Sequence, residues 1–199
     1  MMERPFGRLS FDANTALGEG PDTHAQATDD ELMSLARGGD DEAFATLIRR
    51  HQARVLRLAY RYLGDGALAA DVAQDTFCAL FEARDHYEPR GKFAAYLYRL
   101  LLNQCHMVRR SIRSEVRALD ALSAIRDPDK SQVAPRDQQR DMEVVLAQLT
   151  PKLREVVVLR FCAELNHEEI AETLAIPVGT VKRRLFDAMA KLRESLRQT

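Results

Sequence analysis

The chain has 199 residues, 46% of them apolar, and its 29 Lys and Arg stand against 30 Asp and Glu for a formal net charge of −1. That length suits two compact helical units better than one large core, and the neutral balance alone would not point to a nucleic-acid partner. No apolar run approaches membrane-spanning length and the N-terminus has no signal-peptide core, so a cytoplasmic protein with no membrane insertion is expected.

Residues 1–28 hold no sustained period and are peppered with Gly, Pro, Asn and Asp, which predicts a flexible tail. A first helix opens near Asp29 with Leu32, Leu35 and Ala36 as its apolar stripe, and Gly38-Gly39-Asp40 breaks it. Asp40 or Asp41 can cap a second helix, in which Phe44, Leu47, Ile48, Val55, Leu58, Ala59, Tyr62 and Leu63 recur at three- and four-residue steps. Gly64-Asp65-Gly66 ends it. A third helix is predicted from about Ala67 to Arg84, burying some combination of Val72, Phe77, Leu80 and Phe81. Pro89 and Gly91 make 85–92 a loop. The fourth helix, from Phe93 to about Arg117, starts apolar and ends basic. From 118 to 140 the pattern weakens and Pro128 and Pro135 interrupt, as in a linker with at most a short helical piece near Leu119 to Ile125.

A second unit begins near Asp141. Thr150-Pro151 reads as an N-cap with Pro in the first helical position, followed by a buried stripe of Leu153, Val156, Val157 and Phe161. Asn166-His167-Glu168-Glu169 fits a capping box, after which Ile170, Ala171 and Leu174 turn inward. Ala175-Ile176-Pro177 makes a turn into a last helix whose buried face is Val181, Leu185, Ala188 or Met189, Leu192 and Leu196. No β signal is present. The class is all-α, with two small helical domains joined by a flexible linker.

Charge is unevenly distributed. Residues 84–117 hold eight Arg and Lys against three acids, and residues 177–199 hold six against two. Two separate basic stretches on a neutral chain fit two places where a polyanion is held, although solvated helix faces produce the same pattern. The second stretch lies in a short helix, a tight turn and a longer helix, which is helix-turn-helix geometry. Its N-terminal residues Thr180, Lys182, Arg183, Arg184, Phe186 and Asp187 are placed to enter a major groove. Lys and Arg neutralise phosphates or donate to guanine, and Asp accepts from cytosine. Cys78, Cys105 and Cys162 stand singly, without the spacing of a zinc or redox motif, and are expected as buried free thiols. His51, His106 and His167 read as surface or capping residues, and no catalytic triad, metal cluster or cofactor motif emerges.

Longer stretches carry a resemblance. LREVVVLRF, EEIAETL and IPVGTVKRRL, within Leu149 to Leu196, look like the fourth conserved region of the sigma-70 family of bacterial RNA polymerase sigma factors. Independently, AFATLIRRHQARVLRLAYRYLGD (Ala43 to Asp65), DVAQDTF (Asp71 to Phe77) and KFAAYLYRLLLNQCHMVRR (Lys92 to Arg110) resemble the second region. Regions two and four alone, in that order, are the layout of the extracytoplasmic-function group. The resemblance implies a tail over 1–28, region two over 29–117, a linker over 118–140 and region four over 141–199.

It also implies an alternative sigma factor, a non-enzymatic subunit that directs core RNA polymerase to promoters. Asp71, Gln74 and Asp75 would then face the polymerase β′ clamp helices, and region four would meet the β flap. Tyr87, Arg90, Lys92, Tyr96, Arg99, Asn103, Arg109 and Arg110 would open the −10 element, where cations hold phosphates and planar or amide groups hold an unstacked base. Tyr96 stands where the family usually has Trp, and Met107 where it usually has Asp. The −35 element would be read by Thr180, Lys182, Arg183, Arg184, Phe186 and Asp187. Arg183 replaces a frequent Ser and Asp187 a frequent basic residue, so a −35 preference unlike the family's common AAC-containing boxes is expected. Arg154 and Arg160 are expected to support the fold or touch phosphates. An anti-sigma protein is the implied regulator.

Two other functions remain open on pattern. An autonomous helix-turn-helix regulator would bind duplex DNA unaided, and would leave the DVAQDTF helix without a role. A nuclease using Asp71 and Asp75 would need a metal, and no His accompanies that pair.

Overall fold

A computed structural model of the chain describes residues 24–122, 146 and 148–197. The described residues contain seven α-helices, one short 3-10 helix and no strand.

The chain is tied down before its first helix. Arg50 donates to the carbonyls of His24 at 3.0 Å, Ala25 at 2.9 Å and Ala27 at 2.7 Å, and reaches Asp29 at 3.1 Å. Residues 24–28, assigned to a flexible tail on composition, therefore belong to the folded unit. One guanidinium serves three carbonyls of a segment that belongs to no helix or strand.

Helix α1 (Asp29–Arg37) is opened by a capping box between Thr28 and Glu31 and buries Leu32, Met33 and Ala36. Helix α2 (Asp41–Leu63) takes Asp40 as its cap and closes on Gly64, whose φ of 77° is the left-handed conformation that ends helices. Asp65 caps α3 (Gly66–Glu82), and a 3-10 turn at Arg84–His86 leads into the loop before α4 (Phe93–Leu122). Helix α4 runs on past Arg117, where the sequence pattern had faded. No Pro or Gly stands between Arg117 and Leu122, so nothing local stops it at Arg117.

The last three helices are α5 (Pro151–Phe161), α6 (His167–Thr173) and α7 (Val178–Arg197). Asn166 and Glu169 form the expected capping box, and Pro151 opens α5, although the Thr150 side chain makes no cap hydrogen bond. Every residue of α5 from Leu153 to Leu159 is buried, including Arg154 and Glu155. The expected stripe holds at Leu153, Val156 and Val157 but not at Phe161, which is 58% exposed. Helix α5 is clasped by α7 on one side and α2 on the other, so burial depends on position along the helix and ceases at its final residue.

The two helical units thus pack together, and one contiguous apolar cluster runs from Leu32 and Leu47 through Tyr62, Leu97 and Leu101 to Val156, Ile170 and Val181. Most of the expected linker (123–140), the start of the second unit (141–145) and the side chain of Leu196 lie outside the described residues. Cys105 is buried and its thiol is pushed up to about 12, chiefly by burial. Cys78, on α3, and Cys162, the residue that caps the end of α5, are only half-buried.

Candidate nucleic-acid interface

The loop between the 3-10 turn and α4 forms one wall of an open cleft. The cleft, of about 240 Å³, is lined by His86, Tyr87, Glu88, Arg90, Lys92, Ala95, Tyr96, Arg99 and Glu172. Tyr87 is buried and stands edge-on to Tyr96, with ring centres 5.2 Å apart, and the Arg99 guanidinium lies over the Tyr96 ring at 5.2 Å. An aromatic step flanked by a guanidinium suits a stacked base. Burial first, and then the hydrogen bond to Asp30, raise the Tyr87 phenol's pKa, so it stays protonated and donates.

At 100° per residue, Tyr96, Arg99, Asn103 and Arg110 follow one line along α4. Asn103 and Arg110 are exposed, so the Asn103 amide is presented outward and is not an interior polar group. Arg109 falls on another side of the helix. It is half-buried, with its guanidinium 5.4 Å from the centre of the Tyr62 ring, and the structure does not bring it to the cleft. A run of two arginines on a helix cannot put both on one face.

On α3, Asp71 and Asp75 are exposed and Gln74 is half-buried beside them. These three side chains occupy one outward face, opposite Val72, Phe77 and Leu80. Among the described residues no group of three His, Cys, Asp or Glu is placed to hold a metal ion.

In the rear unit, α6 and α7 make the helix-turn-helix. Lys182, Arg183, Phe186 and Asp187 stand exposed, Phe186 at 72%, with Thr180 and Arg184 half-buried on their flanks. Val181, Leu185 and Ala188 anchor the opposite side. Arg160 donates to the Leu165 carbonyl at 2.9 Å and so closes the loop ahead of α6, a supporting role.

The seam between the units was not visible in the sequence. Glu155 is 6% exposed and accepts from the Tyr62 hydroxyl at 3.3 Å and pairs with His106 Nε2 at 2.8 Å. Arg154 donates to the Leu146 carbonyl at 2.9 Å and to the Tyr62 carbonyl, at the C-terminal end of α2, at 3.0 Å. A cation there meets the helix's unpaired carbonyls. At the cleft mouth Lys92 Nζ pairs with Glu172 of α6 at 2.9 Å. His106 and His51 are therefore partnered side chains and not simple surface residues; His51 bonds Asp29 at 2.7 Å and stands against Phe93. Three acids that sequence reasoning passed over, Asp30, Glu155 and Glu172, each meet partners dozens of residues away, and no local spacing signals such a pairing.

Comparison with known proteins follows the same division of the chain. The family described as Sigma-70 region 2 matches residues 47–115, and that described as Sigma-70, region 4 matches residues 145–194. The RNA polymerase sigma-H factor of Pseudomonas aeruginosa is 31% identical, over 86% of this chain and 95% of its own length. The ECF RNA polymerase sigma factor SigW of Bacillus subtilis is 32% identical, over 83% of this chain and 95% of its own. Among solved structures, CnrH in complex with the cytosolic domain of CnrY superimposes with a TM-score of 0.68 at 27% identity, covering 85% of this chain and 97% of that one.

Proposed function

The chain belongs to the sigma-70 family of RNA polymerase sigma factors, in its extracytoplasmic-function group, and from that membership we propose how its three exposed surfaces divide the work of promoter-specific initiation. It is an alternative sigma factor. Asp71, Gln74 and Asp75 dock on the β′ clamp helices of core polymerase, where carboxylates and an amide meet basic side chains. The cleft of Tyr87, Arg90, Lys92, Tyr96 and Arg99, continued by Asn103 and Arg110, receives an unstacked base and the adjoining phosphates of the −10 element. Thr180, Lys182, Arg183, Arg184, Phe186 and Asp187 read the −35 element from α7, with the β flap as the support of region four. Arg109 serves the seam between the units in the closed arrangement and meets DNA only if the units separate.

The observation that carries this proposal is the coexistence, on one chain, of a basic aromatic cleft and a basic recognition helix with a separate acidic helix face. An autonomous regulator needs only one of the three. Each DNA-facing surface is small, so the free protein binds promoters weakly. Docking on polymerase holds both at promoter spacing, and their binding terms combine through effective concentration. The protein contributes specificity and no bond-breaking chemistry of its own, and it works in the cytoplasm, where core polymerase is. An anti-sigma protein covering these surfaces is the proposed regulator; the related CnrH was solved with a protein partner in place.

The test is to combine the purified chain with bacterial core polymerase and select transcribed promoters from a random-sequence pool. Paired −35 and −10 boxes should be enriched only when both components are present. Tight duplex binding without polymerase, and no transcription with it, would overturn the proposal in favour of an autonomous regulator.

A further inference from the structure

The loop that walls the cleft has no regular structure from Tyr87 to Lys92, and it is exposed at Glu88, Pro89, Arg90, Gly91 and Lys92. Its shape needs an internal cause. That cause lies in α1, some sixty residues earlier. The Asp30 carboxylate oxygen Oδ1 accepts from the Tyr87 hydroxyl at 2.7 Å, from the Arg90 backbone N–H at 3.0 Å and from the Gly91 backbone N–H at 3.3 Å. Two successive backbone N–H groups converging on one anion form a nest, and Gly91 adopts the φ of 67° that such a turn requires.

Asp30 is itself held in register. It is the second residue of α1, inside the Thr28–Glu31 capping box, and its carbonyl accepts from the Ser34 hydroxyl at 2.9 Å. Its neighbour Asp29 bonds His51 and Arg50 of α2, so α1 is fixed to the bundle on one side and to the loop on the other. The carboxylate makes no contact with the open cleft; it lies behind Tyr87, and the cleft-facing side chains of Arg90 and Lys92 follow from where the loop backbone is pinned.

We infer that Asp30 is a positioning residue for −10 recognition: its carboxylate folds the 87–91 loop into the shape that receives the unstacked base. This rests on the proposed −10 role of the cleft. Helix α1 lies ahead of residues 47–115, which match region 2, so the match assigns Asp30 nothing.

The experiment uses holoenzyme rebuilt from core polymerase and full-length chain, on a promoter that the wild-type holoenzyme selects. Open-complex formation is followed by permanganate reactivity of unpaired thymines, alongside affinity for core polymerase and the melting temperature of the free protein. Hydrogen bonds to a charged group are stronger than those between neutral groups, and here one carboxylate oxygen accepts three. Losing the shared acceptor in Asp30→Ala should thus lower open-complex formation by about tenfold or more, and flatten the preference for the selected −10 sequence over one with its flipped base exchanged. Core affinity should hold. Asp30→Asn keeps one carbonyl oxygen and should recover part of the loss; Tyr87→Phe, which removes only the shortest bond, should fall between. Unchanged opening and preference in Asp30→Ala would overturn the inference. So would a fall in core affinity and melting temperature with the −10 preference intact, since that is the signature of a purely structural residue. Failure of the wild-type holoenzyme to open any promoter would instead overturn the −10 role on which the inference stands.

Discussion

On α7, Arg183 and Asp187 stand exposed one helical turn apart, on the face proposed to read the −35 element. A carboxylate accepts from cytosine and repels phosphate, while a guanidinium donates to guanine and attracts phosphate. Asp187→Arg should therefore change the selected −35 sequence at one position, at a cost of about 1–3 kcal/mol for the original box, read by repeating the promoter selection. Lys182→Ala should weaken all promoters alike and reduce the salt dependence of holoenzyme binding by about one phosphate's share. A different residue-scale effect belongs to Asp29. Partial burial raises its pKa, but His51 and Arg50 outweigh this and hold its carboxyl below the ordinary 3.8. A depressed folded-state pKa stabilises the protein above the unfolded value and loses that effect as pH falls through the folded one. Asp29→Asn should accordingly destabilise the protein at neutral pH, and the gap from wild type should close below pH 3.8, as urea unfolding across pH would record.

At the scale of elements, the turn between α6 and α7 carries an alanine where the backbone favours glycine. Ala175 has φ of 50°, the left-handed region that costs a residue with a Cβ about 1–2 kcal/mol. Ala175→Gly should raise stability by about 0.5–1 kcal/mol once the added freedom of the unfolded chain is counted, seen as a higher urea midpoint with the slope unchanged. The helix that follows still opens at Val178 behind Pro177, so the same substitution should leave the selected −35 box unchanged. The α6 capping box works in the other direction. Asn166→Ala removes the side chain that accepts from the Glu169 N–H at 2.9 Å, and should cost about 1 kcal/mol. That loss should appear in unfolding and weaken −35 binding only through the fraction folded.

At the scale of the molecule, the seam between the two units sets which surfaces are open. The acidic face of α3 and the reading face of α7 remain exposed, while Glu172 sits at the mouth of the cleft, paired with Lys92. Glu155 is the centre of the seam, with Tyr62 and His106 as its partners and Arg154 and Arg109 close to the same Tyr62. Glu155→Lys would place a cation among those cations. Each buried group left unpaired costs about 1–3 kcal/mol, and the units should part. Small-angle scattering should then report a larger radius of gyration with helical circular dichroism retained. An unchanged radius would mean that apolar packing of α5 against α2 holds the seam without Glu155.

Features written in local order came from the sequence: the helix starts near Asp29, at Asp40 or Asp41 and at Asn166, the stop at Gly64, the turn at Ala175-Ile176-Pro177, the helix-turn-helix, and the shared face of Asp71, Gln74 and Asp75. Caps, breakers and three-to-four-residue periods act over a few residues, so they can be read along the chain. Lys92, Tyr96, Arg99 and Asn103 were singled out by the resemblance of their stretch to region two, and the first three line the cleft. Packing between helices sets Arg109 away from the cleft, leaves Phe161 bare while burying Arg154 and Glu155, and gives His51 and His106 their partners. It alone set Asp30 behind the loop and Glu172 across the cleft. Those outcomes depend on which helix lies against which. A charge finds its partner through space, across separations that carry no periodic signal in the chain.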